Sequence, residues 1–253
     1  MPDSLPILGF HCFEEQPSAI SFSPGLFRRA MAGLQERGYR AAPLAEAVDC
    51  LRQRKPFPDH AFILTFDDGY QTVYEEAFPC LQQHGWGATV FLTVGSPGSR
   101  AGLTRLPSMV GRSMLSWGEI REMQRHGMEI GAHTLTHPDL TRASRDRVEE
   151  EVRGSKDVIE AMLGTPVVSF CYPYGYCDAQ SRDVVRQHFS SACSGRLGLV
   201  THESDLFALE RVEAHYLNTD RRFRLVTTGM FPWYLWMRRI PRKVRQAMER
   251  RLY

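Results

Sequence analysis

The run Ala61-Phe62-Ile63-Leu64-Thr65-Phe66 and the Asp67-Asp68-Gly69 turn that ends it decide how the 253-residue chain is read. Six consecutive apolar or β-branched side chains are the pattern of a strand covered on both faces, as in a parallel sheet. Such a strand needs helices against it, and the flanking sequence supplies them. Downstream, Val73, Ala77 and Leu81 recur at helical spacing up to Gly85, and residues 88–94 form a second buried strand. Upstream, residues 5–10 read as a first strand. Ser23 and Pro24 then open a helix as N-cap and first helical residue, closed near Gly38, and a second helix starts at Pro43.

The alternation continues toward the C-terminus. Ser116 caps a helix with Ile120 and Met123 inward and Gly127 at its end, and residues 128–132 follow as a strand. Val148, Val152, Ile159 and Leu163 mark a longer amphipathic helix. Residues 167–171, 190–193 and 206–212 read as further strands, with a helix over 178–188 between the first two. Strand and helix in turn predict an α/β fold whose parallel sheet is closed, or nearly closed, as a barrel. Residues 95–115, rich in glycine, proline and serine, read as a long loop over the site.

Composition narrows the class. With 43% hydrophobic residues there is apolar material for one large core, and a net charge of +2 gives no argument for nucleic acid as a partner. Six cysteines lack the spacing of a disulfide scaffold and read as reduced thiols. Neither a secretory signal nor an apolar run of the roughly 20 residues that a membrane span needs is visible, so a cytoplasmic location is expected.

Three short motifs follow predicted strands, where the active sites of parallel α/β folds gather. Thr65-Phe66-Asp67-Asp68-Gly69 brings two carboxylates, although aspartate and glycine also make ordinary turns. His133-Thr134-Leu135-Thr136-His137 lets two imidazoles face one point. Two histidines and one carboxylate can hold a divalent ion while leaving a position open for water, as in a catalytic zinc site. Phe170-Cys171-Tyr172-Pro173-Tyr174-Gly175 offers backbone amides at a third strand end, or simply an aromatic loop over the barrel mouth.

In this order the motifs TFDDG, HTLTH and YPYG resemble those of the polysaccharide deacetylase family, also called carbohydrate esterase family four or the NodB-homology domain, over about residues 5–212. The resemblance implies a distorted (β/α) barrel with fewer than eight complete strand-helix units, and removal of N-acetyl groups from an amino sugar in a glycan. It implies Asp67 as general base, Asp68, His133 and His137 as metal ligands, and the Tyr174 amide as an oxyanion donor. Zn2+ is the expected ion, with Co2+, Ni2+ or Fe2+ able to use the same ligands.

The chain departs from the family pattern at two points. Cys171 stands where many members carry an arginine that organises the acidic site, a change that reads as the marker of an exopolysaccharide-type branch; the cysteine itself reads as a small buried thiol at a strand end, with metal ligation as the alternative. The Asp-Trp element that orients a catalytic histidine is missing, so the general acid is open: His215 is the first candidate and His11 the second. Arg211, after Leu209-Glu210, can pair with an active-site carboxylate, but an ordinary surface ion pair outside catalysis is the expectation.

The chain divides at residue 220 into a catalytic barrel, 1–220, and a basic aromatic extension, 221–253. That extension holds ten lysines and arginines against one acid, Glu249, together with Phe231, Trp233, Tyr234 and Trp236. It reads either as a peripheral contact with an anionic membrane, at the inner face, or as a terminal helix packing its aromatics on the barrel. Two other functions stay open: an amidohydrolase of small C–N substrates, and a catalytically silent glycan-binding module. A complete set of two aspartates and two histidines argues against the second.

Overall fold

The computed structural model describes residues 3–16, 18–95 and 111–239. Seven parallel strands form a ring: β1 (Ile7–Phe10), β2 (Ala61–Phe66), β3 (Thr89–Leu92), β4 (Glu129–Ala132), β5 (Ser169–Cys171), β6 (Ser191–Leu197) and β7 (Leu209–Glu213). Each pairs with the next, and β1 pairs with both β2 and β7, so the sheet closes into the expected barrel of fewer than eight units.

The two-residue period of a strand sorts side chains between the lumen and the outer wall. Ile7, Ile63, Phe91, Cys171, Cys193 and Leu209 pack together inside. Their neighbours Leu8, Leu64, Val90, Phe170 and Ala192 join the cluster under the helices. This is why β2 is apolar or β-branched throughout: all six of its residues are buried. The lumen is so full that a Cβ on Gly131 would lie 2.5 Å from the Phe91 ring. Counting onward by twos puts Asp67, His133 and Arg211 on that same inner face, at or near the carboxyl ends.

Helices α1 (Pro24–Glu36), α2 (Leu44–Gln53), α3 (Phe78–His84), α4 (Trp117–Arg125), α5 (Arg145–Leu163) and α6 (Ala179–His188) clad the ring. Their starts follow the local sequence: Ser23 accepts from the Leu26 amide, and Ser116 with Glu119 forms a reciprocal capping box. The helix predicted from Val73 begins instead as a π-helical turn, Val73–Ala77, and becomes α-helical only at Phe78. Pro79, which lacks an amide proton, stands in the first turn of α3, where that loss is tolerated. The glycine-rich cover predicted over 95–115 lies mostly outside the described residues.

The chain beyond residue 220 rejoins the barrel. In the helix over 231–239, Phe231, Tyr234 and Leu235 enter the main core. The Tyr234 hydroxyl donates to the Tyr216 carbonyl, and Arg239 Nε to the Leu197 carbonyl at 2.8 Å. The opposite face carries Met230, Trp233, Trp236 and Met237, all exposed. Of the two readings of the tail, packing of its aromatics on the barrel describes one face of this helix, and the other face is exposed.

Candidate active site

The site forms where the turns after β2, β4 and β5 meet. Asp68, His133 and His137 are buried and aim their donor atoms at one another. His133 Nε2 and His137 Nε2 stand 3.1 Å apart, and Asp68 Oδ1 lies 3.5 and 3.3 Å from them. Ligands about 2.1 Å from a tetrahedral ion are separated by about 3.4 Å, so this triangle has the right size. Asp68 Oδ1 is buried without a hydrogen-bond partner, a costly position for a carboxylate oxygen unless a cation satisfies it. His133 Nδ1 lies 2.7 Å from the Cys171 carbonyl; donating there fixes the tautomer that leaves Nε2 free as a ligand. These residues fit a divalent ion.

Backbone strain gathers at the same place. Among the described residues other than glycine, six have positive φ, and four of them, Asp68, Thr134, His137 and Tyr174, belong to the three motifs. Such conformations persist only where the surroundings over-determine them.

Asp67 is buried beside the triangle and is gripped by Arg211. The guanidinium donates to Asp67 Oδ1 at 2.8 Å and to Oδ2 at 2.7 Å, with a third bond to Thr65 Oγ1 and an ion pair to Glu213. Burial alone raises the Asp67 pKa, but the charge and hydrogen bonds of Arg211 outweigh it and hold the carboxyl below the usual carboxylate range. The expectation of an ordinary surface pair at Arg211 is therefore corrected: this side chain is 3% exposed and serves the site. It also supplies the positive charge that Cys171 lacks. Cys171 Sγ lies 3.6 Å from Asp67 Oδ2, and burial pushes the thiol pKa well up, so it stays protonated and acts as a weak donor.

The two histidines considered for proton donation are placed differently. His11, just past β1, sets Nε2 3.8 Å from Asp67 Oδ2 and is partly open to solvent. His215 is exposed on the 3-10 turn Ala214–Leu217, its ring 4.1 Å from that of Tyr216. Tyr174 (φ 58) is the middle residue of the turn Pro173–Gly175, with its ring 4.7 Å from that of His137. Gly175 must be glycine there, since a Cβ would come within 2.2 Å of Gly195 Cα.

The chain is 27% identical to the Bacillus subtilis protein YxkH over 212 residues, 83% of this chain and 71% of that one. It is 35% identical over 121 residues to the Escherichia coli poly-beta-1,6-N-acetyl-D-glucosamine N-deacetylase, spanning 18% of that longer protein and 46% of its own length. The solved structure of IcaB from Ammonifex degensii superposes with a TM-score of 0.76 at 26% identity, covering 89% of this chain and 96% of that one. The Streptococcus pyogenes deacetylase PplD, solved with acetate, gives 0.74 at 24% identity over 84% of this chain and 93% of that one. The family model described as polysaccharide deacetylase matches residues 54–190, more than half of the sequence. This chain belongs to the polysaccharide deacetylase family.

Proposed function

We propose that the protein removes the N-acetyl group from an amino sugar within an exopolysaccharide-type glycan, with poly-β-1,6-N-acetylglucosamine as the substrate suggested by its relatives. The observation that carries this reading is the convergence of Asp68, His133 and His137, with donor atoms 3.1 to 3.5 Å apart, next to a buried and ionised Asp67. A divalent ion on that triangle, Zn2+ by donor type, supplies polarisation of the acyl carbonyl and a more acidic water.

Each remaining role falls to a side chain or amide of the chain itself. Asp67, fixed by two nitrogens of Arg211, accepts the proton of the attacking water. The Tyr174 amide, at the mouth, is assigned to the oxyanion that develops on the acyl oxygen, a donor of a kind worth about 3 kcal/mol. His11 is assigned the proton for the leaving amine as the C–N bond breaks and acetate departs; its placement beside Asp67 favours it over His215. Acetate release from an N-acetylated β-1,6-glucosamine oligomer tests the reading. It is supported if release requires added Zn2+ or Co2+ and Asp67, and it fails if the protein spares the glycan but cleaves small amides.

We also propose that the protein works against an anionic membrane, at the cytoplasmic face. Met230, Trp233, Trp236 and Met237 are four of the seven large hydrophobic side chains exposed among the described residues, and their spacing puts them on one helix face. Exposed tryptophans suit the bilayer interface, and Arg238, Arg239 and the basic sequence beyond them suit its charge. Six unpaired cysteines fit a reducing compartment.

A further inference from the structure

Between His133 and His137 run three residues, Thr134-Leu135-Thr136, whose backbone is under strain. Thr134 has φ 69° and His137 φ 57°, the left-handed region that a β-branched threonine in particular avoids. Part of what holds this loop comes from next door: Val94 and Gly95 donate their amides to the carbonyls of Thr134 and Leu135 at 3.3 and 2.9 Å. Part is internal, the His137 amide bonding Thr134 Oγ1 at 3.0 Å.

The rest comes from a carboxylate on α5. Glu151 is fully buried, and its Oε2 accepts the amides of Leu135 and Thr136, each at 2.8 Å. Its Oε1 takes the Thr136 hydroxyl and the guanidinium of Arg147. A buried carboxylate is expensive unless every lone pair is used. Here three of the four bonds end on the short segment that joins the two imidazoles. One turn along α5, Gly154 gives the loop its seat, since a Cβ there would lie 2.8 Å from Leu135 Cδ1.

We propose that Glu151 is a positioning residue that holds the Thr134–Thr136 backbone in its strained form and thereby sets the separation of the His133 and His137 ring nitrogens on which metal affinity depends. The proposal rests on the reading of Asp68, His133 and His137 as metal ligands. It needs no contact between Glu151 and the ion; the carboxylate acts through two amides and a hydroxyl.

The test is Co2+ binding by the full-length apoprotein, measured by competition with a chelating dye and by the visible spectrum of the bound ion. Glu151→Ala is expected to weaken Co2+ binding by about 10- to 100-fold and to change the spectrum, as loss of an outer-shell partner does. Glu151→Gln, which keeps one acceptor oxygen, should fall between it and the unaltered protein. Ile159→Ala, a core change on the same helix away from the loop, should lower the unfolding temperature while leaving affinity and spectrum alone. Should Glu151→Ala fail to fold, Gly154→Ala, which crowds Leu135, must show the same weakening. If the Gln and Gly154→Ala variants bind Co2+ with unaltered affinity and spectrum, Glu151 is only a structural residue and the proposal is wrong. If the unaltered protein itself fails to bind Co2+, the ligand assignment beneath it falls as well.

Discussion

Arg211 reaches across the barrel lumen from β7 and closes both nitrogens on Asp67, at 2.8 and 2.7 Å, with neither side chain more than 3% exposed. Removing one partner of a buried ion pair strands the other charge, at a cost of about 3–5 kcal/mol. Arg211→Met should therefore lose stability of that order in urea unfolding and most of its acetate release. Arg211→Lys keeps the charge but not the fork, and should fall between. Because Cys171 Sγ also faces Asp67 Oδ2, Cys171→Arg added to Arg211→Ala should recover part of the lost activity. An Arg211→Met protein of normal stability and turnover would contradict this role.

His11 and His215 can be told apart by the leaving group. A general acid matters when the departing amine needs a proton and little when the leaving group is already stable. His11→Ala should slow release of acetate from the glucosamine amide by about 100- to 10,000-fold while sparing 4-nitrophenyl acetate. His215→Ala should leave both substrates near normal. The opposite pattern would move the role to His215.

Glu129 gives a pH prediction away from the metal triangle. Burial raises its pKa above the ordinary 4.5, and hydrogen bonds from the Ser169 and Thr89 hydroxyls offset this only in part. A group whose folded pKa is raised favours the fold below its unfolded pKa and loses that advantage as pH rises through the folded value. Glu129→Gln should thus differ little from the unaltered protein in urea unfolding at pH 4 and be the more stable of the two at pH 8. Equal differences at both pH values would refute the assignment.

The outward face of the C-terminal helix predicts lipid binding. The intact protein should sediment with vesicles containing phosphatidylglycerol at low salt, and Trp233→Ser with Trp236→Ser should abolish this without lowering acetate release from a soluble oligomer. Binding to the glycan rather than to vesicles, lost in the same variant, would assign these tryptophans to substrate instead.

Much of this was legible in the sequence because a parallel barrel leaves a strong local trace. The apolar or β-branched β2 and the capping serines at 23 and 116 mark their elements without tertiary help. The motif residues then fall at strand ends by position alone. For Arg211 the sequence leaves a choice between a partner for an active-site carboxylate and an ordinary surface pair, because only closure of the ring turns the inner face of β7 into a dry lumen. The available signal was the missing charge at Cys171: Asp67 needed a cation from somewhere, and a strand of a closed barrel was the place to seek it. His11 over His215, and Glu151, depend on contacts between residues far apart in the chain, which no local pattern records.

The most direct measurement is metal-edge anomalous scattering from crystals of the protein grown with Zn2+. One strong peak is predicted, about 2.0–2.2 Å from a carboxylate oxygen of Asp68 and from Nε2 of both His133 and His137. No peak there, or one held by other side chains, would contradict the account.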